Sequence, residues 1–167
     1  MSPAQAGTYR EDLRRRLQGR LVVVGVGNEL RGDDGWGPAA VRALAAQVGP
    51  EQQGQLFDCG DVPENYLGPV IAARPETIVI LDAVDFGAPA GTVRLIEFDH
   101  AAGPAISTHN APLGLVAQVL AADSGAPVWL LGVQPAGTQF GAPLSESVRR
   151  SGAEVVEALT ELLAQGT

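Results

Sequence analysis

The sequence predicts a three-layer α/β/α sandwich on a five-stranded, mostly parallel sheet with one antiparallel edge strand. Short apolar, β-branched runs bounded by glycine or proline recur at residues 21–26, 77–81 and 128–133, the pattern of strands buried on both faces. Between them lie segments whose apolar residues return at spacings of three and four, as helices packed on a sheet require. Residues 77–81 and the strand-like 92–98 are joined only by the turn-rich Phe86-Gly87-Ala88-Pro89-Ala90-Gly91 region. That gap is too short for a helical crossover, so 92–98 should pair antiparallel at an edge.

Each element follows in order. Residues 1–19 stand apart as an N-terminal extension, in which 8–17 form a short Arg-rich helix expected to be a solvated flank; 20–167 form the α/β domain. The first strand is 21–26. A helix over 37–48 carries Val41, Leu44, Ala45 and Val48 on one face. Residues 55–58 give a short second strand, and Pro63 opens a second helix with Leu67, Val70 and Ile71 as its apolar positions. The central strand is 77–81 and the edge strand 92–98. A helix over 110–122 leads to the last strand, 128–133. The final helix, 145–163, has an amphipathic stripe of Val148, Val155, Val156, Leu159, Leu162 and Leu163 that packing alone explains.

Composition narrows the function. The chain has 167 residues, a net charge of −8, 46% hydrophobic and 18% charged residues, so it is long and apolar enough to bury a core. A pI near 4.6 argues against a nucleic-acid or anionic-membrane surface, which needs a basic patch. Cys59 is the lone cysteine, which excludes an intrachain disulfide and a multi-thiolate zinc site and suits a reducing cytoplasm. The N-terminal residues lack the apolar core of a secretory signal, and no apolar run approaches the roughly 20 residues that cross a bilayer. The expectation is a cytoplasmic protein.

The chemistry concentrates after the first strand, in Val24-Gly25-Val26-Gly27-Asn28-Glu29-Leu30-Arg31-Gly32-Asp33-Asp34-Gly35-Trp36-Gly37. A glycine-rich loop at this position suggests a nucleotide. The spacing opposes it: Leu30 occupies the place of the third glycine of the dinucleotide fingerprint, and the chain contains no Lys to complete a P-loop. Glu29, Asp33 and Asp34 would repel a phosphate. Either aspartate could instead cap the helix that follows, but capping does not require two.

In a parallel α/β sheet ligands bind outside the carboxyl ends of the strands. Asp34 leaves the first strand at that edge, and Asp82 ends the central strand there. His109 stands just before the helix that runs back toward the last strand, so it too belongs at that edge if the last strand is parallel. Two carboxylates and one imidazole form a set for a divalent cation, with zinc, nickel, manganese and iron all compatible. The competing chemistry is an acid–base pair of aspartates. Ser107 and Thr108 precede His109 too directly to form a triad with it and are natural N-caps. His100 reads as a surface residue, and Cys59 as a small buried side chain near the end of the second strand.

The ordered set Gly25-Val26-Gly27-Asn28, Asp33-Asp34-Gly35-Trp36-Gly37-Pro38, Leu81-Asp82-Ala83 and Ser107-Thr108-His109-Asn110-Ala111-Pro112-Leu113 resembles the hydrogenase maturation endopeptidases. Those enzymes process the large subunit of nickel–iron hydrogenases. The likeness runs from about Arg20 through nearly the whole chain, including residues 58–65 and Leu131-Gly132-Val133-Gln134-Pro135. It implies that Asp34, Asp82 and His109 bind metal and carry catalysis. It also implies that the protein removes a C-terminal extension from a nickel-loaded large-subunit precursor. The metal would be nickel presented by that substrate, with zinc or cadmium as substitutes. The family often has Asp-Gly-Gly-Thr after the second strand, where this chain has Asp58-Cys59-Gly60-Asp61; the hydrogenase served therefore stays open. The competing function is a non-catalytic nickel-sensing docking module or chaperone that uses the same three residues.

Overall fold

The structure, a computed structural model, describes residues 3–98 and 113–166. A sheet of five strands has the order β2-β1-β3-β5-β4, with β1 Leu21–Gly25, β2 Leu56–Asp58, β3 Thr77–Ala83, β4 Val93–Glu97 and β5 Val128–Val133. β2, β1, β3 and β5 are parallel, and β4 pairs antiparallel with β5 at the edge, as expected. The helices are α1 Pro3–Arg16, α2 Trp36–Gln47, α3 Leu67–Ala72, α4 Leu113–Ser124 and α5 Glu146–Gln165.

Alternation along β3 shows how the layers divide. Val79 and Leu81 enter a core shared with α1, α2 and α5, while Ile78 and Ile80 enter a second core with α3 and α4. Both faces of the sheet are therefore apolar, which is why these strands read as continuous hydrophobic runs.

The N-terminal helix departs from expectation. Tyr9, Leu13 and Leu17 recur every four residues and are buried in the first core, so α1 is not a solvated flank. Its arginines point outward: Arg10 donates to the Glu154 carbonyl of α5, and Arg16 covers the ring of Trp129. The high arginine content masked a narrow apolar stripe.

The chain direction matters for the site. α4 ends at Ser124, and the Pro127 carbonyl, just ahead of β5, accepts from Ile78 N at the amino end of β3. α4 therefore begins at the carboxyl edge of the sheet. The expected helix start at 110, with Ser107, Thr108 and His109 before it, and His100 lie outside the described residues. No described helix is long and apolar enough to cross a membrane.

Candidate active site

Four loops gather at the carboxyl edge, leaving β1, β2, β3 and β5. The first of these is the glycine-rich segment, and its glycines serve the backbone. Gly27 has φ +149°, and a Cβ there would stand 1.8 Å from the Asp34 carbonyl oxygen. A Cβ on Gly25 would lie 2.5 Å from the Gly37 carbonyl, and one on Gly37 would lie 2.4 Å from the carbonyls of Leu81 and Val26. Glycine at these positions lets the first turn of α2 sit directly on β1 and β3. The loop is compact because helix and sheet touch there.

That contact places Asp34. Residues Gly32–Gly35 form a buried 3-10 turn that packs against β3. The Asp34 carboxylate is 2% exposed and accepts from the Asn28 backbone N–H at 2.9 Å. Asp82, 0% exposed, is the sixth residue of β3 and lies opposite Gly132 of β5. The β1–β3 ladder continues past Gly25, with Val26 N donating to Leu81 O at 2.9 Å. The loop carrying Asp34 thus leaves β1 beside the strand end carrying Asp82. The third expected member, His109, lies outside the described residues. Among the described residues no group of three His, Cys, Asp or Glu side chains gathers as a metal site.

Neither aspartate caps α2, whose N-cap, Gly35, has no side-chain cap. Asp33 instead reaches across the edge to the loop leaving β5. Its Oδ2 accepts from Ala136 N at 2.8 Å, Gly137 N at 3.3 Å and Ser145 Oγ at 2.9 Å; its Oδ1 accepts from Ser145 N at 2.6 Å. Ser145 in turn caps α5 through Val148 N. Two adjacent aspartates therefore have separate tasks. Asp33 fastens two loops, and Asp34 is left at the sheet edge.

Two further carboxylates of this edge, Glu29 and Asp58, share one cation. Arg42 of α2 donates to Glu29 at 3.0 Å and to Asp58 at 3.2 Å. The hydrogen bond it donates to Glu29 is the main reason the Arg42 guanidinium titrates above its usual value. Cys59 is buried as expected, and desolvation, with the Asp58 charge adding to it, pushes its thiol up to about 12. A thiol held neutral in this way is a poor nucleophile.

Gln134, just past β5, braces the loop after β3. Its Oε1 accepts from the backbone of Phe86 and Ala88, and its Nε2 donates to Asp85 at 3.1 Å. Sequence reading quoted Gln134 only as part of a motif and assigned it no task, and it did not find the reach of Asp33. A glutamine after an apolar strand was the available signal for the first, and no local signal marks the second.

With this geometry in view, comparisons with known proteins fall in one place. The family model HycI, described as hydrogenase maturation protease, matches residues 38–162. The Hydrogenase 3 maturation protease of Escherichia coli K12 is 34% identical over 129 residues, covering 77% of this chain and 81% of that protein. The hydrogenase expression/formation protein HupD of Thiocapsa roseopersicina is 31% identical over 157 residues, covering 90% of this chain and 70% of its own length. Among solved structures, the [NiFe] hydrogenase maturation protease HycI of Thermococcus kodakarensis superposes with a TM-score of 0.81 at 29% identity, covering 94% of this chain and 99% of that one. These matches agree: the chain belongs to the hydrogenase maturation protease family.

Proposed function

We propose that this protein is an endopeptidase that removes the C-terminal extension of a nickel–iron hydrogenase large-subunit precursor after nickel insertion. In this reading Asp34, Asp82 and His109 engage the nickel that the precursor carries, so the metal is part of the substrate. The supporting observation is the burial of two carboxylates, Asp34 and Asp82, at neighbouring strand ends of one sheet edge in a chain of this family. Carboxylate oxygens suit a divalent cation, and their burial favours the charge compensation such an ion brings.

The protein's own groups then have limited tasks. Asp34 is oriented by the Asn28 N–H, and Asp82 by its place within β3. Both sit on buried, regular backbone, which lowers the cost of positioning. A bound divalent ion supplies Lewis-acid polarisation of a carbonyl or a more acidic water. Cys59, buried and neutral, does not supply the attacking group.

The test incubates the purified protein with nickel-loaded and nickel-free precursor and follows the precursor's mass. Shortening of the loaded form alone is the expected result; binding without shortening would assign a docking module instead. Asp34→Asn, Asp82→Asn and His109→Ala should each abolish shortening while His109→Ala keeps the wild-type melting temperature. Normal processing by any of the three variants would refute that residue's role.

A further inference from the structure

Among the described residues the large hydrophobic side chains left exposed are Leu30, Val62, Leu115 and Phe140. Exposed apolar residues scattered singly over a surface are ordinary. These are not scattered. Leu30 lies between β1 and α2, Val62 between β2 and α3, Phe140 between β5 and α5, and Leu115 in the first turn of α4. All of these positions belong to the carboxyl edge that holds Asp34 and Asp82.

The two most exposed members, Leu30 at 62% and Phe140 at 73%, are also fixed relative to each other. Gly141 N donates to the Leu30 carbonyl at 2.7 Å, Asp33 N donates to Gly137 O at 3.0 Å, and the Asp33 carboxylate secures the same loop at both ends. The loop carrying Val62 is joined to the first loop by Gly27 N donating to Gly60 O at 2.8 Å. The apolar groups are thus presented on a braced frame, which lowers the ordering cost of docking.

Charge adds a second criterion. Arg31 follows Leu30, is exposed, and has no ion pair among the described residues, while the neighbouring Glu29 is held by Arg42. An exposed cation at this edge of a chain with net charge −8 favours a partner that brings a carboxylate.

We propose that Leu30, Arg31 and Phe140 form the docking surface for the precursor, receiving an apolar, carboxylate-bearing polypeptide segment beside the cleavage site. This rests on the endopeptidase reading above. The three residues act on recognition, outside the metal-binding set.

The experiment compares the wild type, the double variant Leu30→Ser/Phe140→Ser, Phe140→Ser alone, and Arg31→Glu, using the nickel-loaded full-length precursor. Peptide release gives KM and kcat, surface plasmon resonance gives binding separately, and thermal melting and sedimentation monitor fold and oligomeric state. Burial of a large apolar side chain corresponds to about a tenfold change in affinity. KM and Kd should therefore rise about tenfold for Phe140→Ser and roughly a hundredfold for the double variant, and Arg31→Glu, which turns attraction for a carboxylate into repulsion, should also raise both, with kcat and melting temperature unchanged in each. Wild-type binding and cleavage by the double variant overturns the docking surface and leaves the endopeptidase reading intact. Wild-type binding without peptide release, lost in the double variant, overturns the endopeptidase reading and keeps the surface. A double variant that turns a dimer into a monomer while precursor binding is unchanged assigns the face to a second copy and overturns the proposal.

Discussion

Replacing Asp33 should cost more stability than its place in a short turn suggests. Its carboxylate is 1% exposed and accepts from three backbone N–H groups and the Ser145 hydroxyl. In Asp33→Asn the amide oxygen can keep the Oδ2 position and its three donors. The amide NH2 then faces Ser145 N, where the carboxylate had accepted at 2.6 Å. One hydrogen bond to a charged group is lost and a donor meets a donor, a cost of about 2–4 kcal/mol. Asp33→Ala removes every acceptor, and because losses within one network are not additive, the expected figure is about 4–5 kcal/mol. For a domain of this size each kcal/mol lowers Tm by about 2–4 °C. Urea titration followed by tryptophan fluorescence reads the effect, since Trp36 is buried only three residues away. A loss below about 1 kcal/mol in Asp33→Ala would refute the view that this side chain fastens the two loops.

Three further outcomes follow from the geometry of the same edge. Gly27→Ala should destabilise the chain by about 3–5 kcal/mol and abolish processing, because its methyl group would stand 1.8 Å from the Asp34 carbonyl; a stable, active variant in urea and processing assays would contradict that. Cys59→Ala should process precursor at the wild-type rate. The Cys59 thiol also has a signed pH effect: unfolded it ionises near its ordinary value of 9.0, folded only near about 12. The folded chain binds the extra proton in between, so stability falls as pH rises through that window, by at most about 1.4 kcal/mol per pH unit. Alkaline urea titrations should show Cys59→Ala lacking this slope.

The strands were legible because burial on both faces writes itself into the sequence as unbroken apolar runs, as at 77–81 and 128–133. The antiparallel edge strand was legible from the short connection before it. Asp34 and Asp82 could be placed at one edge because that placement depends on strand direction alone. α1 was misjudged because three buried residues, Tyr9, Leu13 and Leu17, are diluted among arginines. The work of Asp33 was invisible for another reason. Its partners lie more than a hundred residues away, and a contact between distant loops leaves no local period.

Sheet order also governs when the molecule can be completed during synthesis. β4 leaves the ribosome before α4 and β5, yet in the sheet its neighbour is β5. The apolar stripe of α1 joins the core that α5 closes. Asp33 meets its donor Ser145 across a separation of 112 residues, a long closure whose entropic cost falls late. A nascent chain that already contains Asp34 and Asp82 therefore still has a loose carboxyl edge. The carboxyl edge takes its final shape only when the beginning of α5 has emerged, so a chain stopped short of α5 lacks the frame on which Asp34 and Asp82 are presented.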